Sequence, residues 1–430
     1  MANVNLIGCM QDSRHGWESD DFPVAGAMGC FSNLSSDALH TRHKIAEVPY
    51  MSGNKELDWE KAKKLILEET SGRGHGAVLD QGGFVFSLDD VSRASTLALC
   101  GPLYAAHLQQ SLRRATAERG SVSVGKREDD LMREQFKLYG EMQAGGIPSE
   151  DARFILPLGT KTTIQTQWGP RELMHLKAIS QEEGVPDEVK EVADKMYELA
   201  ENAAPETMKD RGVNYNSIGW YPSPFLFAKQ NRTLEGLAEK HGDNVTLLDS
   251  SSMGMSPEAI EEAIGGNYAE LANLQGYAFN LLAPMSLAAF HQATRQRTWR
   301  QSVDALPSAV KRGEYITPPT IKETEFESGY RDLVEQSLNT VMENIDDPNT
   351  LLAIPHALQV YNLMNLDGWN AISAISSRTC EKAQWEIRKV TRDMAAQIKD
   401  AAPEIGKYAA KRGELYGGCP ERNPCGRCPV

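Results

Sequence analysis

The sequence predicts an α/β (α+β) protein made of two tandem copies of one unit, each with a mixed or antiparallel sheet and long helices. Three observations predict it. Short alternating apolar runs, the mark of strands, sit among longer runs with apolar residues at helical spacing. Several of these motifs recur in the second half in the same order and at near-equal spacing. The 430 residues are long enough for two or three domains at ~150 residues each. The copies are placed at 1–205 and 240–400, with a connector at 206–239 and a cysteine-containing tail at 401–430.

In the first copy Val4-Asn5-Leu6-Ile7-Gly8 reads as a buried strand. Residues 57–70 have helical spacing, which Gly72, Gly74 and Gly76 interrupt. Phe84-Val85-Phe86-Ser87-Leu88 alternates as a strand does. A long helical run is expected from Ser92 to Arg114, kinked at Pro102. Residues 127–143 read as a helix, and Ser149 is a candidate cap for the next one. Thr160 to Gln167 is β-prone, Gly169-Pro170 opens a helix, 181–210 is charged and helical, and 229–243 reads as a polar connector.

The second copy repeats this order. Val245 to Asp249 reads as a strand, and Ser256-Pro257-Glu258 starts a helix with proline at its first position. Tyr277-Ala278-Phe279-Asn280-Leu281 is matched to Phe84–Leu88, Ser286–Gln301 to Ser92–His107, and Ile354-Pro355 to Leu156-Pro157. Asp367 to Arg388 is expected to be one long helix.

Composition narrows the function. The chain is 41% hydrophobic and 24% charged, as soluble globular proteins are. No stretch of about 18 apolar residues could span a bilayer, and the first residues lack the pattern of a signal peptide, so a cytoplasmic protein is expected. Lys and Arg number 45 against 59 Asp and Glu, a net charge of −14. That argues against binding a nucleic-acid backbone, which needs a basic face, yet a few placed arginines could still hold a small anion. Sequences that would mark a Rossmann dinucleotide site, a P-loop, a zinc protease or a serine hydrolase elbow do not occur.

Seven cysteines, an odd number, in a chain expected to be cytosolic do not suggest a disulfide framework. Four are scattered among apolar residues. Cys419, Cys425 and Cys428 cluster in the tail with one C-x2-C spacing, a zinc-ligand spacing that lacks a fourth donor nearby. The tail is therefore either a weak metal site or a thiol-rich segment.

The ordered motifs resemble those of the flavin-dependent thymidylate synthases, whose signature is Arg-His-Arg-x-x-Ser on a helix. In the first copy, His75-Gly76-Ala77-Val78-Leu79-Asp80, Phe84-Val85-Phe86 and Val91-Ser92-Arg93-Ala94 resemble the family's lead-in. Gln109-Gln110-Ser111-Leu112-Arg113 resembles the segment after the signature, and Asp151-Ala152-Arg153-Phe154-Ile155-Leu156-Pro157 resembles the Ala-Arg-x-x-Leu-Pro segment. In the second copy, His291-Gln292-Ala293-Thr294-Arg295-Gln296-Arg297 resembles the signature with its middle histidine replaced, and Ser377 to Arg388 resembles the C-terminal helix. Each copy departs where the other agrees. The first has Gly101-Pro102-Leu103 at the signature triplet, Ala106 at its serine and Ser180 at the C-terminal arginine. The second has Arg300 at the signature serine, Ala305-Leu306-Pro307 at the Ser-x-Arg segment and Leu351 at the Arg153 position. Arg42-His43-Lys44 imitates the signature but precedes the lead-in, and is read as a decoy.

The resemblance implies a reaction in which a one-carbon unit moves from methylenetetrahydrofolate to C5 of dUMP, with hydride from reduced FAD and NADPH as the reductant. It implies nucleotide contacts at Gln109, Ser111, Arg113, Arg153, Gln292, Arg295 and Arg378. It implies flavin contacts at His75, His175, Arg295 and Arg297. Arginine suits such a site because its planar fork bonds two phosphate oxygens and stays charged. A composite site follows, phosphate held by the first copy and flavin and pyrimidine by the second, in a homodimer that mimics the family tetramer. Plainer roles are open for each residue: a solvated face for Arg113, a surface ion pair for Arg153, an interface patch for Arg295, Arg297, Arg300 and Arg312, pairing with Glu381 and Glu386 for Arg378, and core packing for His175. At the level of function the alternatives are a nucleotide- or partner-binding pseudoenzyme and a pyrimidine C5 hydroxymethylase.

Overall fold

In the computed structural model the described residues form eight strands in two separate four-stranded sheets. The model describes all residues except 1, 13–15, 31, 46–58, 212–220, 243 and 428–430, and of 41–45 only the backbone. In the first sheet β1 (Asn3–Cys9), β2 (Phe84–Ser92), β3 (Ala106–Gln109) and β4 (Lys161–Trp168) lie in the order β1-β2-β4-β3. In the second, β5 (Thr246–Ser251), β6 (Ala278–Ser286), β7 (Arg300–Val303) and β8 (Gln359–Leu366) lie in the order β5-β6-β8-β7. Every pairing is antiparallel. The repeat expected from the sequence is thus a repeat of topology.

The chain divides into two compact units: Met1–Ser111 with Thr160–Pro222, and Leu112–Gly159 with Ser223–Val430. Residues 112–159 of the first copy therefore pack within the unit that holds the second sheet.

In the first unit the alternation of β2 turns Phe84, Phe86 and Leu88 into a core with Ile164 and Trp168 of β4. Helix Asp187–Ala203 closes this core with Val192, Met196 and Ala200. In the second unit the sheet is covered on both faces. Helix Arg232–His241 packs Leu234 and Ala238 on Leu282 and Tyr361, and helix Trp385–Ala401 lies against β5 and β6. This explains why β8 is nearly all apolar or buried rather than alternating.

Both copies start the helix after their second strand with a capping serine. Ser92 Oγ accepts from Ser95 N–H at 3.0 Å, and Ser286 Oγ accepts from Ala289 N–H at 3.1 Å. A buried glutamate backs each serine: Glu188 behind Ser92 and Glu386 behind Ser286. Two other sequence motifs also pair within the second unit. Leu158 N–H donates to Ile354 O at 2.8 Å and His356 N–H to Leu156 O at 2.9 Å, around a bridge between Pro157 and Pro355.

Five local expectations are corrected. The helix from Ser92 ends after Leu99, because Gly101-Pro102 halts it and Ala106–Gln109 leaves as an edge strand on β4. Asp367–Arg388 is two helices, Gly368–Arg378 and Trp385–Ala401. Gln384 Oε1 caps the second by accepting from Glu386 and Ile387 N–H. The polar stretch 229–243 contains helix Arg232–His241, capped by Asn231. Ser149 is inside its helix rather than capping it, and receives a bond from Gln143 Nε2 at 2.7 Å. Finally, Phe84 faces Trp168 whereas Phe279 faces Leu366, so Phe279 rather than Tyr277 is the partner of Phe84 in the repeat. A two-residue slip keeps every side chain on its face, which hides it from an alternation pattern. Among the described residues, no helix is long and apolar enough to cross a membrane.

Candidate anion-binding site

Arg113, Arg153, Arg295 and Arg378 all lie in the second compact unit, although the first two come from the first copy. Each is delivered by a different local device. Arg153 follows the one-turn helix Ser149–Ala152, which is pinned through Asp151. The Asp151 carboxylate accepts from Thr320 Oγ1 at 2.7 Å and from Trp385 Nε1 at 2.8 Å. Phe154 stacks on the Trp385 ring at 6.0 Å. Arg295 and Arg297 sit in the turn after helix Leu287–Ala293, and Arg378 ends helix Gly368–Arg378.

Arg378 is the centre of the cluster. Its guanidinium is pushed down to about 10, first by burial and then by repulsion from Arg113, Arg295 and Arg412. It stays protonated at neutral pH. Gln296 is its hydrogen-bond partner: with the amide oxygen turned inward it accepts from Arg378 Nε at 2.8 Å and Nη2 at 3.0 Å. Among the described residues, the charges that act on it most are these three cations and no carboxylate. Pairing of Arg378 with Glu381 and Glu386 does not occur. Glu381 instead binds Arg388, Arg392 and Lys411, and Glu386 binds Ser286.

Arg113 is half-buried, ion-paired to Glu150 and bonded to Lys382 O at 3.1 Å. It lies after the edge strand and its turn, so the solvated helix face considered for it is not formed. Arg153 is 8% exposed, which excludes the surface ion pair. Its Nε donates to Glu150 O at 3.0 Å while Nη2 makes no hydrogen bond. Burial lowers its guanidinium to about 10, with Glu150 opposing and Arg113 adding to the shift. Gln292 is half-buried with Nε2 making no hydrogen bond. Arg312 is engaged elsewhere, with Asp304 and over the Tyr361 ring.

The remaining candidates lie in the first unit. Gln109 ends β3 and its Nε2 donates to Thr96 Oγ1 at 2.7 Å. Ser111 and His75 are exposed. His175 is buried on helix Pro170–Ser180, and burial with Arg171 nearby lowers its imidazole to about 4, so it is neutral at pH 7. Cys419 and Cys425 are free thiols, and Cys428 lies outside the described residues. No group of three or more His, Cys, Asp or Glu that could hold a metal ion occurs among the described residues. Arg42-His43-Lys44 lies on helix Ser36–Ile45, with side chains outside the described set.

Sequence reasoning missed Gln296 and Arg412. Gln296 stood between two quoted arginines. Arg412 belongs to a tail whose Lys411-Arg412 pair carries no motif, and only folding brings it to Arg378. Chemically, guanidiniums that repel one another, with Arg153 Nη2 left without a hydrogen bond, suit a small dianion such as a phosphate monoester.

The fold is a two-copy antiparallel α+β arrangement whose second unit carries an arginine cluster. The family model described as thymidylate synthase complementing protein matches residues 33–206 and 243–404. The chain belongs to that family. A flavin-dependent thymidylate synthase from Geobacter sulfurreducens is 30% identical over 195 residues, 43% of this chain and 78% of the relative. One from Thermococcus onnurineus is 32% identical over 158 residues, 33% of this chain and 64% of the relative. Among solved structures, a UMP/dUMP methylase, PolB from Streptomyces cacaoi, bound with 5-Br dUMP, is 15% identical with a TM-score of 0.36. The match covers 48% of this chain and 93% of that one.

Proposed function

We propose that this protein is a flavin-dependent methyltransferase of the thymidylate synthase type that acts at C5 of dUMP. One observation carries the reading: Arg378, at the family's C-terminal arginine position, is repelled by Arg113, Arg295 and Arg412, with no carboxylate acting on it among the described residues. A cluster that repels itself without a ligand is a poor structural element and a good phosphate receptor. Arg113 and Arg153 would hold the phosphate, and Arg378 and Gln292 would orient the pyrimidine. The one-carbon donor is methylenetetrahydrofolate and the reductant NADPH, in a cytoplasmic homodimer.

The residues present also suit FAD. Arg295 and Arg297 are exposed cations two residues apart in one turn, the donor chemistry an anionic pyrophosphate needs. When bound, the flavin supplies the hydride. The chain's part is to place the nucleotide and hold its charge. Arg378 remains a cation throughout the neutral range, and His175 remains neutral there.

The test is the visible absorbance of the purified chain with FAD, before and after dUMP. A flavin spectrum that shifts with dUMP is expected, followed by methyl transfer that is lost in Arg113→Ala and in Arg378→Ala. Full activity in either variant, or a chain that binds neither flavin nor dUMP, would overturn the reading.

A further inference from the structure

A second cleft lies in the first unit, with a volume of about 490 Å³. That is within the ~300–1,000 Å³ common for small-molecule sites. None of the arginines above lines it. Its walls are Tyr104, Trp168 and Tyr221, and its polar groups are Asp80, Gln167 and Glu172. The Tyr104 and Tyr221 rings meet edge to face at 4.5 Å. Tyr104 is 63% exposed, unusual for a large ring without a covering element.

Glu172 is the group that calls for a ligand. It lines the cleft, is only 5% exposed, and its Oε2 accepts no hydrogen bond. A buried carboxyl oxygen left without a donor is destabilising, so a residue kept only for packing would sit there better as an apolar side chain. The nearby cation is otherwise occupied: Arg171 reaches Asp80 at 3.7 Å and lies 5.0 Å over the Tyr221 ring. Trp168 is held by its own bond from Nε1 to Thr166 Oγ1, 2.6 Å long. The cleft thus combines aromatic walls, two carboxyl groups and one unfilled acceptor.

We propose that this cleft binds a flat ligand whose edge carries paired N–H donors, an amidine or guanidine group. Two parallel N–H donors match a carboxylate, and a flat cation lies well against aromatic faces. An anion would meet Asp80 and Glu172, and a purely apolar ligand would leave Glu172 without a donor. The arginines of the second unit play no part.

The experiment is a titration of the full chain with benzamidine, followed by ligand-observed NMR and calorimetry, with benzyl alcohol as the uncharged comparison. Wild type is expected to bind benzamidine and not benzyl alcohol. Glu172→Gln should weaken binding at least ~10-fold, as expected from losing one charge-assisted contact. Tyr104→Ala, at an exposed position, should weaken it several-fold and keeps the test open if Glu172→Gln does not fold. Equal affinity in wild type and a folded Glu172→Gln, no loss in Tyr104→Ala, or no binding by wild type at millimolar benzamidine would each overturn the proposal. No nucleotide is present in this titration, so its outcome is separate from that of the arginine site.

Discussion

The guanidiniums of Arg113 and Arg378 repel each other, and with burial this repulsion lowers the Arg378 guanidinium from its ordinary value. The two residues come from different copies of the repeat and lie in one compact unit. Under the proposed function, first-copy Arg113 and Arg153 and second-copy Arg295 and Arg378 would complement each other, since each copy departs from the family's motifs where the other agrees. Asp151 makes the arrangement specific by tying the Arg153 segment to Thr320 and Trp385.

Repulsion in the cluster has a consequence for stability. Arg378→Gln removes one of several facing charges and is expected to raise the stability of the ligand-free chain by about 1 kcal/mol. Phosphate should stabilise wild type more than the variant, by mass action on the folded state. Thermal melts with and without inorganic phosphate check both signs. A destabilised variant with an unchanged phosphate response would count against a receptor.

The serine caps should differ in their sensitivity. Glu386 accepts from Ser286 N–H at 2.7 Å and from its hydroxyl at 2.5 Å. Glu188 receives the equivalent bonds from Ser92 and also one from the Ser95 hydroxyl at 2.6 Å. Ser286→Ala removes a cap and one of the donors to a fully buried carboxyl, at a cost of ~1–3 kcal/mol. Ser92→Ala should cost less, since Ser95 still donates. Denaturant unfolding of the two variants gives the comparison.

Glu172 and His175 set opposite pH dependences. Burial raises the Glu172 carboxyl from 4.5 to about 7. Its folded form therefore binds a proton more tightly than the unfolded chain. The associated stability is full below about 4.5 and is lost as pH rises through about 7. His175 falls from 6.5 to about 4. Its contribution is full above 6.5 and is lost as pH falls through about 4. Glu172→Gln should thus gain stability over wild type as pH rises from 5 to 8, with little difference at pH 5. Melting temperatures across that range test this, and a constant difference would contradict the raised carboxyl.

Much of this architecture is legible in the sequence, for identifiable reasons. Alternation in Phe84–Leu88 and the serine starts at Ser92 and Ser286 reflect strand period and helix capping, both local properties. They sufficed to show a repeated unit. The helix expected through Gly101-Pro102 failed because tertiary pairing took Ala106–Gln109 into a sheet edge. The break at Thr379–Gln384 failed to show because Gln384 caps from the side chain, a signal that propensity does not carry. Arg113, Arg153, Arg295 and Arg378 were named by motif. Gln296 and Arg412 could not be, since their contact with Arg378 depends on a turn and a tail brought together by the fold. Glu172 was missed because burial without a partner is invisible in a sequence.

The central claim is that arginines from both copies hold one nucleotide. Equilibrium binding of dUMP to wild type, Arg113→Ala and Arg378→Ala, each first shown to be folded, tests it most directly. Each substitution removes charge-assisted hydrogen bonds worth about 1.5–3 kcal/mol, so each should weaken dUMP roughly 10- to 100-fold. Deoxyuridine, which lacks the phosphate, should bind weakly to all three and be nearly indifferent to Arg113→Ala. Undiminished dUMP affinity in either variant would contradict the composite site.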